Sequence, residues 1–142
     1  MSEEAEEAEE AEEQVDNESS NDVGKIEWID LTVEEGSRVR DFYCSVVGWS
    51  SSEEDMGSYS DYSIHLPGTK DSIAGICHAR GPNANLPAQW LMYVRVKSVS
   101  EAIEKCEKLG GSIIEGPRRM GNQRFCVIKD PAGAVLALLS DS

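Results

Sequence analysis

Two histidines, four scattered cysteines and a short run of arginines are the side chains of this sequence best suited to acid–base, nucleophilic or anion-binding chemistry. Imidazole is the usual proton carrier near neutral pH. Yet neither His65 nor His78 has a nucleophile or paired carboxylate at a telling spacing. His65 borders the Pro67-Gly68 turn and reads as a strand-end or surface residue, whereas His78 lies in the strand-like run Ile73–Ala79. A nucleophilic Cys77 would need a lowered thiol pKa and a nearby base. Its neighbour His78 cannot be that base on a strand, because adjacent side chains point to opposite faces. Arg118, Arg119 and Arg124 flank the Met120–Gln123 turn. A guanidinium fork fits carboxylate or phosphate, but a solvated hairpin explains Arg118 and Arg119 as well. Arg124 is kept as a pocket candidate. Glu27 and Asp30 stand three apart, so on a strand they face opposite sides and form no glycosidase-like pair.

The chain has 142 residues and a net charge of −14. Eleven of the 27 acidic residues fall within residues 1–22, which hold no Lys or Arg. Residues 23–142 therefore carry 16 acidic and 13 basic side chains, a net of only −3. This balance argues against nucleic acid, which needs a cationic face. No window approaches the ~20 apolar residues of a membrane span, and the first residues lack the basic start and apolar core of a secretory signal. The Glu-Glu-Ala repeats of residues 3–13 have no apolar stripe, so residues 1–22 are expected to be a disordered acidic tail. The cysteines (Cys44, Cys77, Cys106, Cys126) form no C-x-x-C pair and are expected as reduced thiols of a cytoplasmic protein.

The elements that must position these residues recur. Ile26–Val33 reads as a strand; Ser37 is a candidate N-cap; Val39, Phe42, Tyr43, Val46 and Val47 have helical spacing; and Gly48 suits a left-handed helix end. A shift of 63 positions brings the same landmarks: strand Leu91–Val96, a cap at Ser98 or Ser100, helix face Ala102, Ile103, Cys106 and Leu109, then Gly110-Gly111. That is an internal repeat. Shorter strands follow each helix: Trp49–Glu53, Tyr59–Leu66 and Ile73–Ala79, then Ser112–Glu115, Arg124–Lys129 and Ala134–Leu139. Gly- and Pro-rich turns separate them. Each half is β-α-β-β-β. The expected fold is α+β: two βαβββ modules, about 24–80 and 88–140 within a domain of 23–142, forming curved, mainly antiparallel sheets around a cleft, with helices outside.

Particular residues then point to a family. Phe42-Tyr43 with Val46-Val47-Gly48-Trp49, Asp130-Pro131-Ala-Gly133 before an apolar strand, and Val96 through Gly111 together resemble the vicinal-oxygen-chelate superfamily of glyoxalases, bleomycin-resistance proteins and dioxygenases. Asp55-Met-Gly57-Ser-Tyr59, Ala74-Gly75-Ile76 and Trp90…Tyr93…Val96 are most similar to its mycobacterial 27-kDa-antigen-like branch. The resemblance implies a cleft in which four strands offer ligands to one divalent metal. Three of those positions fall on Trp28, Leu91 and Ala137, none of which can coordinate an ion; the fourth lies near Cys77 and His78.

This departure from the family's ligand pattern leads to the expectation of a pocket without a metal or other cofactor. Its candidate residues are Trp28, Asp30, Cys77, His78, Trp90, Leu91, Tyr93, Arg124 and Ala137. Trp28, Asp30, Leu91, Tyr93 and Ala137 share strand parity with the family's ligand positions, while Trp90 does not share that of Leu91. Aromatic walls suit an organic ligand. The expected function is metal-free binding of a small organic molecule, with no nucleic-acid or membrane partner and a homodimer left open. The alternatives are a lyase- or dioxygenase-type enzyme of the same superfamily with a divergent site, and an interaction protein working through its acidic tail.

Overall fold

The computed structural model describes residues 22–141. The expected acidic tail lies, but for Asp22, outside the described residues. Strand β1 (Ile26–Val33) leads into helix α1 (Gly36–Val47), then β2 (Ser50–Asp55), β3 (Ser60–His65) and β4 (Ser72–His78). A linker with one 3-10 turn (Gly81–Asn83) leads to β5 (Trp90–Arg95), helix α2 (Val99–Lys108), β6 (Ser112–Met120), β7 (Gln123–Lys129) and β8 (Val135–Asp141). The helix starts Gly36 and Val99 are 63 residues apart, so the repeat legible in the sequence is the repeat of the fold.

The eight strands form one mixed, curved sheet in the order β2-β3-β4-β1-β5-β8-β7-β6. Pairs β1/β4 and β5/β8 are parallel; the other five are antiparallel. The modules meet where β1 runs antiparallel to β5, with Trp28 opposite Tyr93 and Asp30 opposite Leu91. Both helices cover the same side of their half-sheets. Under α1, Leu31, Tyr62, Ile64, Ala74 and Ile76 form one core, joined by Val39, Tyr43, Trp49 and Trp90. Under α2, Val99, Cys126 and Leu138 form another, joined by Ala102 and Ile103. A third core lies on the helix-free face of the second half: Leu86, Leu91, Tyr93, Phe125, Val127, Ala137 and Leu139.

Local chemistry explains the helix ends, with one correction. Ser98 caps α2 by accepting a hydrogen bond from the Glu101 amide at 3.2 Å. Ser37 does not cap α1: the helix begins a residue earlier, and the Ser37 hydroxyl pairs with that of Tyr62 at 2.6 Å. Gly48 closes α1 with φ +92°, a backbone that a side chain strains. A second correction concerns β6, which does not stop at Glu115. It passes Gly116-Pro117 and continues to Met120, with register shifts between Ile113 and Arg118. Such irregularities re-aim side chains without ending a strand.

Candidate functional site

Strand parity and register decide which candidates meet. Asp30 lies across from Gly75 on β4 and Leu91 on β5; Trp28 lies across from Tyr93, which lies across from Ala137 on β8. The structure thus brings Trp28, Asp30, Leu91, Tyr93 and Ala137 to one face, with Cys77 beside Asp30. It does not bring His78, Trp90 or Arg124 there. His78 alternates with Cys77 and turns to the helix side, against the start of α1 at Gly36, between the rings of Tyr59 and Tyr62. Its amide and Nδ1 both meet Asp61 Oδ1, at 2.8 and 3.3 Å. Trp90 packs under α1 against Trp49 and Tyr43, and its indole N–H donates to the Tyr43 hydroxyl at 3.1 Å. Arg124 stands opposite the face of its neighbour Phe125, in a cavity at the start of α2.

Asp30 is the chemical centre. Its Oδ1 accepts from the Trp28 indole N–H at 3.2 Å, and its Oδ2 from the Cys77 thiol at 3.5 Å. Gly75 makes room for it: a Cβ there would overlap the Asp30 carboxylate. Burial pushes the Asp30 carboxyl up to about 6, against the opposing pull of the Trp28 and Cys77 hydrogen bonds, and the Asp61 charge adds to the rise. Burial and the adjacent carboxylates also hold the Cys77 thiol far above its ordinary range, so it is no nucleophile at neutral pH. Tyr93 is raised likewise, first by burial and then by Asp30.

The helix-free face is therefore split. Around Asp30 it is polar, with Asp61 buried on β3 behind Cys77. Beyond Tyr93 it is apolar and closed. Phe125, Val127 and Ala137 are all 0% exposed, and the Tyr93 and Phe125 rings stack at 5.7 Å. Part of the lid comes from the linker, whose Leu86 is buried in this cluster. The linker is fastened by Arg118, whose Nη2 donates to Asn83 Oδ1 at 2.9 Å while its guanidinium lies 4.8 Å from the Phe125 ring centroid.

Sequence reasoning missed three residues of this face. Asp61 was findable, since it alternates with the core residues Tyr62 and Ile64. Gly75 carried no signal beyond being a glycine in a strand, which marks close approach. Arg118 reads as a solvated hairpin residue in the sequence, but the regular pairing of the β6–β7 hairpin sets it across from Phe125.

The metal implied by the fold's relatives does not fit these residues. Trp28, Leu91 and Ala137 offer no donor atoms. Among the described residues, no three His, Cys, Asp or Glu side chains gather closely enough to hold an ion. Asp30 spends its oxygens on an indole and a thiol instead.

Comparison with known proteins agrees with this architecture. The chain is 28% identical over 120 residues to CFP32 of Mycobacterium tuberculosis, provisionally named a glyoxylase, covering 84% of this chain and 45% of that protein. It is 28% identical over 127 residues to the anthracycline biosynthesis protein DnrV of Streptomyces peucetius, covering 81% of this chain and 46% of that protein. The chain thus spans about half the length of the curated relatives it matches. Among solved structures, a glyoxalase/bleomycin resistance protein/dioxygenase superfamily member from Vibrio splendidus shares the fold with a TM-score of 0.50 and 11% identity, covering 80% of this chain and 97% of that one. The family model matches residues 25–138, from the start of β1 into β8, and the chain belongs to the Glyoxalase/Bleomycin resistance protein/Dioxygenase superfamily.

Proposed function

We propose that this chain binds a small, mostly apolar organic molecule without a metal, at the junction where Trp28 and Asp30 of β1 face Leu91 and Tyr93 of β5. One observation carries the reading: a half-buried carboxyl, held by the Trp28 indole N–H, occupies the centre of the face where relatives are expected to hold an ion. An indole and a phenol offer a flat apolar surface with few rotamers to order, and Asp30 offers one directional hydrogen bond. The buried side chains beyond Tyr93 must yield for a ligand to enter deeply, and Leu86 is the one of them carried outside the sheet, on the linker. Four free thiols among the described residues suit a reducing compartment, and the cytoplasm is the proposed place of work. No helix among the described residues is long and apolar enough to cross a membrane.

A lyase-type enzyme is the second reading, favoured by the titration of Asp30 near neutral pH, which suits a group that gives and takes a proton. Turnover that follows one ionisation near pH 6 and vanishes in Asp30→Asn would establish it.

The binding reading is tested by a small-molecule panel scored on melting temperature and on the Trp28 indole N–H resonance. A ligand at a hundredfold excess over its Kd stabilises by about 2.7 kcal/mol. It should move Trp28, Asp30 and Tyr93 signals together. Stabilising ligands that leave all three unmoved would refute the site. One equivalent of Zn, Ni, Mn or Fe per chain, whose removal lowers the melting temperature, would refute the metal-free reading.

A further inference from the structure

On the helix side of the second module, a cavity of about 400 Å³ opens at the start of α2, lined by Lys97, Ser98, Ser100, Arg119, Arg124 and Asp141 among others. Three cations face it. Among the described residues, none of the three makes an ion pair or a side-chain hydrogen bond. The carboxylate in the cavity, Asp141, is held by Arg95 Nη1 at 2.9 Å. The helix end itself contributes little, because the Val99 and Glu101 amides already donate to the Ser140 and Ser98 hydroxyls. What is left is positive charge without its counterpart, in a chain whose net charge is −14.

The counterpart lies in the same chain, next door. Val23 sits in an adjoining hollow with Val96, Lys97, Ser98, Glu101, Ala102 and Lys105, so Lys97 and Ser98 belong to both depressions. The Gly24 amide fixes this point by donating to the Arg95 carbonyl at 2.7 Å. The described chain therefore begins, at Asp22 and Val23, beside the rim of the cationic cavity, and what precedes it in sequence is residues 1–21. They carry ten carboxylates (Glu3, Glu4, Glu6, Glu7, Glu9, Glu10, Glu12, Glu13, Asp16, Glu18) and no cation. An extended chain reaches at most ~3.3–3.6 Å per residue, so a handful of residues spans the cavity and all of Glu3–Glu18 is within reach.

We propose that the cavity formed by Lys97, Arg119 and Arg124 is an anion site whose occupant is the acidic segment Glu3–Glu18 of the same chain. Guanidinium groups take carboxylates as a planar fork, which favours the two arginines as the gripping groups. A short tether holds its end at a local concentration on the order of mM, so contacts too weak to form between separate molecules form here. The site backs onto the strands that carry Arg118 and Phe125 on the helix-free face, through neighbouring residues of β6 and β7. Occupancy of the cavity is thus mechanically adjacent to the Arg118–Asn83 fastening of the linker.

The test uses the full chain, isotope-labelled, beside a full-length variant with Glu3, Glu4, Glu6, Glu7, Glu9, Glu10, Glu12, Glu13 and Glu18 all changed to Gln and Asp16 to Asn. These positions precede the described fold, so the variant keeps it. At about 10 mM ionic strength, where screening sets in only at roughly 30 Å, the Lys97, Ser98 and Ser100 amides and the Arg119 and Arg124 side-chain N–H groups should differ between the two proteins. The difference should collapse near ~1 M salt, where the screening length is about 3 Å. It should not change on dilution, and it should be lost in Arg119→Gln/Arg124→Gln. Inorganic phosphate should reach the same groups about tenfold more tightly in the glutamine variant, because the tethered competitor is gone. Identical spectra at low salt overturn the proposal, as does a difference that survives the double arginine variant. A difference that grows with protein concentration assigns the contact to a second copy and overturns it too. Equal phosphate affinity in both proteins shows a small-anion site that the segment does not occupy, and also overturns it.

Discussion

Replacing Asp30 by Asn should make the protein more stable at neutral pH, and only there. The Asp30 carboxyl titrates at about 6 in the fold, against an ordinary 3.8. The folded state therefore holds this proton more tightly than the unfolded chain does. Below the ordinary value both states are protonated and Asp30 costs nothing. As pH rises from about 4 to about 6 the unfolded chain loses its proton first, and stability falls. Above about 6 both states are ionised and the loss is complete. A difference of roughly two units at 1.36 kcal/mol per unit sets it at about 3 kcal/mol. Asn keeps an acceptor for the Trp28 indole N–H and escapes the Asp61 repulsion, but it puts an amide NH2 in place of the oxygen that accepts from Cys77, which trims the gain to about 1–2 kcal/mol at pH 7. The assay is urea denaturation of both proteins from pH 4 to 7.5, compared as the difference between them, so that the acidic residues common to both cancel. The difference should disfavour Asn by about 1 kcal/mol at pH 4, where only its poorer contacts count, and should turn in favour of Asn as pH rises to about 6.5. A variant less stable at pH 7, or a difference independent of pH, would refute the account of Asp30 as a desolvated carboxyl. A gain would mark Asp30 as a group held at the expense of stability, as functional groups commonly are.

Two further outcomes follow from the same face. Leu86→Ala should destabilise the chain by about 2–4 kcal/mol, since Leu86 is 7% exposed within the apolar cluster and its removal leaves a cavity. If the linker is the lid, the variant should also admit small apolar ligands that slow-exchange Tyr93 and Phe125 signals report, and a stability loss below ~1 kcal/mol would show that Leu86 closes nothing. Alkylation at pH 8 followed by mass mapping should leave Cys77 and Cys126 unmodified while Cys44 and Cys106 react. Burial and two carboxylates hold the Cys77 thiol up, and burial lifts Cys126 to about 11. Rapid modification of Cys77 in the folded protein would contradict the geometry around Asp30.

Much of this architecture was legible in the sequence because duplication writes the same turn chemistry twice. Gly48 and Gly110 end the two helices with left-handed backbones at φ +92° and +100°, and each follows a helix whose start can be placed by the repeat alone. Alternation did the same for β1 and β5: once Trp28 is assigned to a face, Asp30 follows, and the antiparallel register fixes Tyr93 and Leu91 opposite them. What could not be read was the interruption of that rule. Parity counted back from the hairpin holds as far as Arg118, but around Gly116-Pro117 the β6 register slips, and the count does not carry on to Glu115 and Ile113. Which module carried the apolar half of the face was also hidden, because Leu86 sits in a linker whose sequence shows no periodicity. Ser37 illustrates the converse failure. A serine at a helix start is a cap by propensity, but a hydrogen bond to the Tyr62 hydroxyl across the core outcompetes it.

The chemistry of the junction turns on three positions taken together. Trp28 removes a metal donor and supplies an indole N–H; Gly75 removes a side chain and supplies room; Asp30 enters that room and accepts the N–H. None of the three makes sense singly. An indole N–H on this face would be a half-buried donor without a protein partner if Asp30 were absent, and Asp30 could not lie there beside an alanine at 75. On the proposed binding reading, the trio sets a titratable negative charge where a metal-holding relative would set a positive one. A ligand that meets it must carry a hydrogen-bond donor or a positive charge near an apolar body. In that respect the junction asks for the opposite of what a divalent metal asks for, which is an electron-rich oxygen. Affinity for the right molecule should therefore rise with pH through about 6 as Asp30 ionises, and molecules built to chelate metals through paired oxygens should bind poorly at every pH above it.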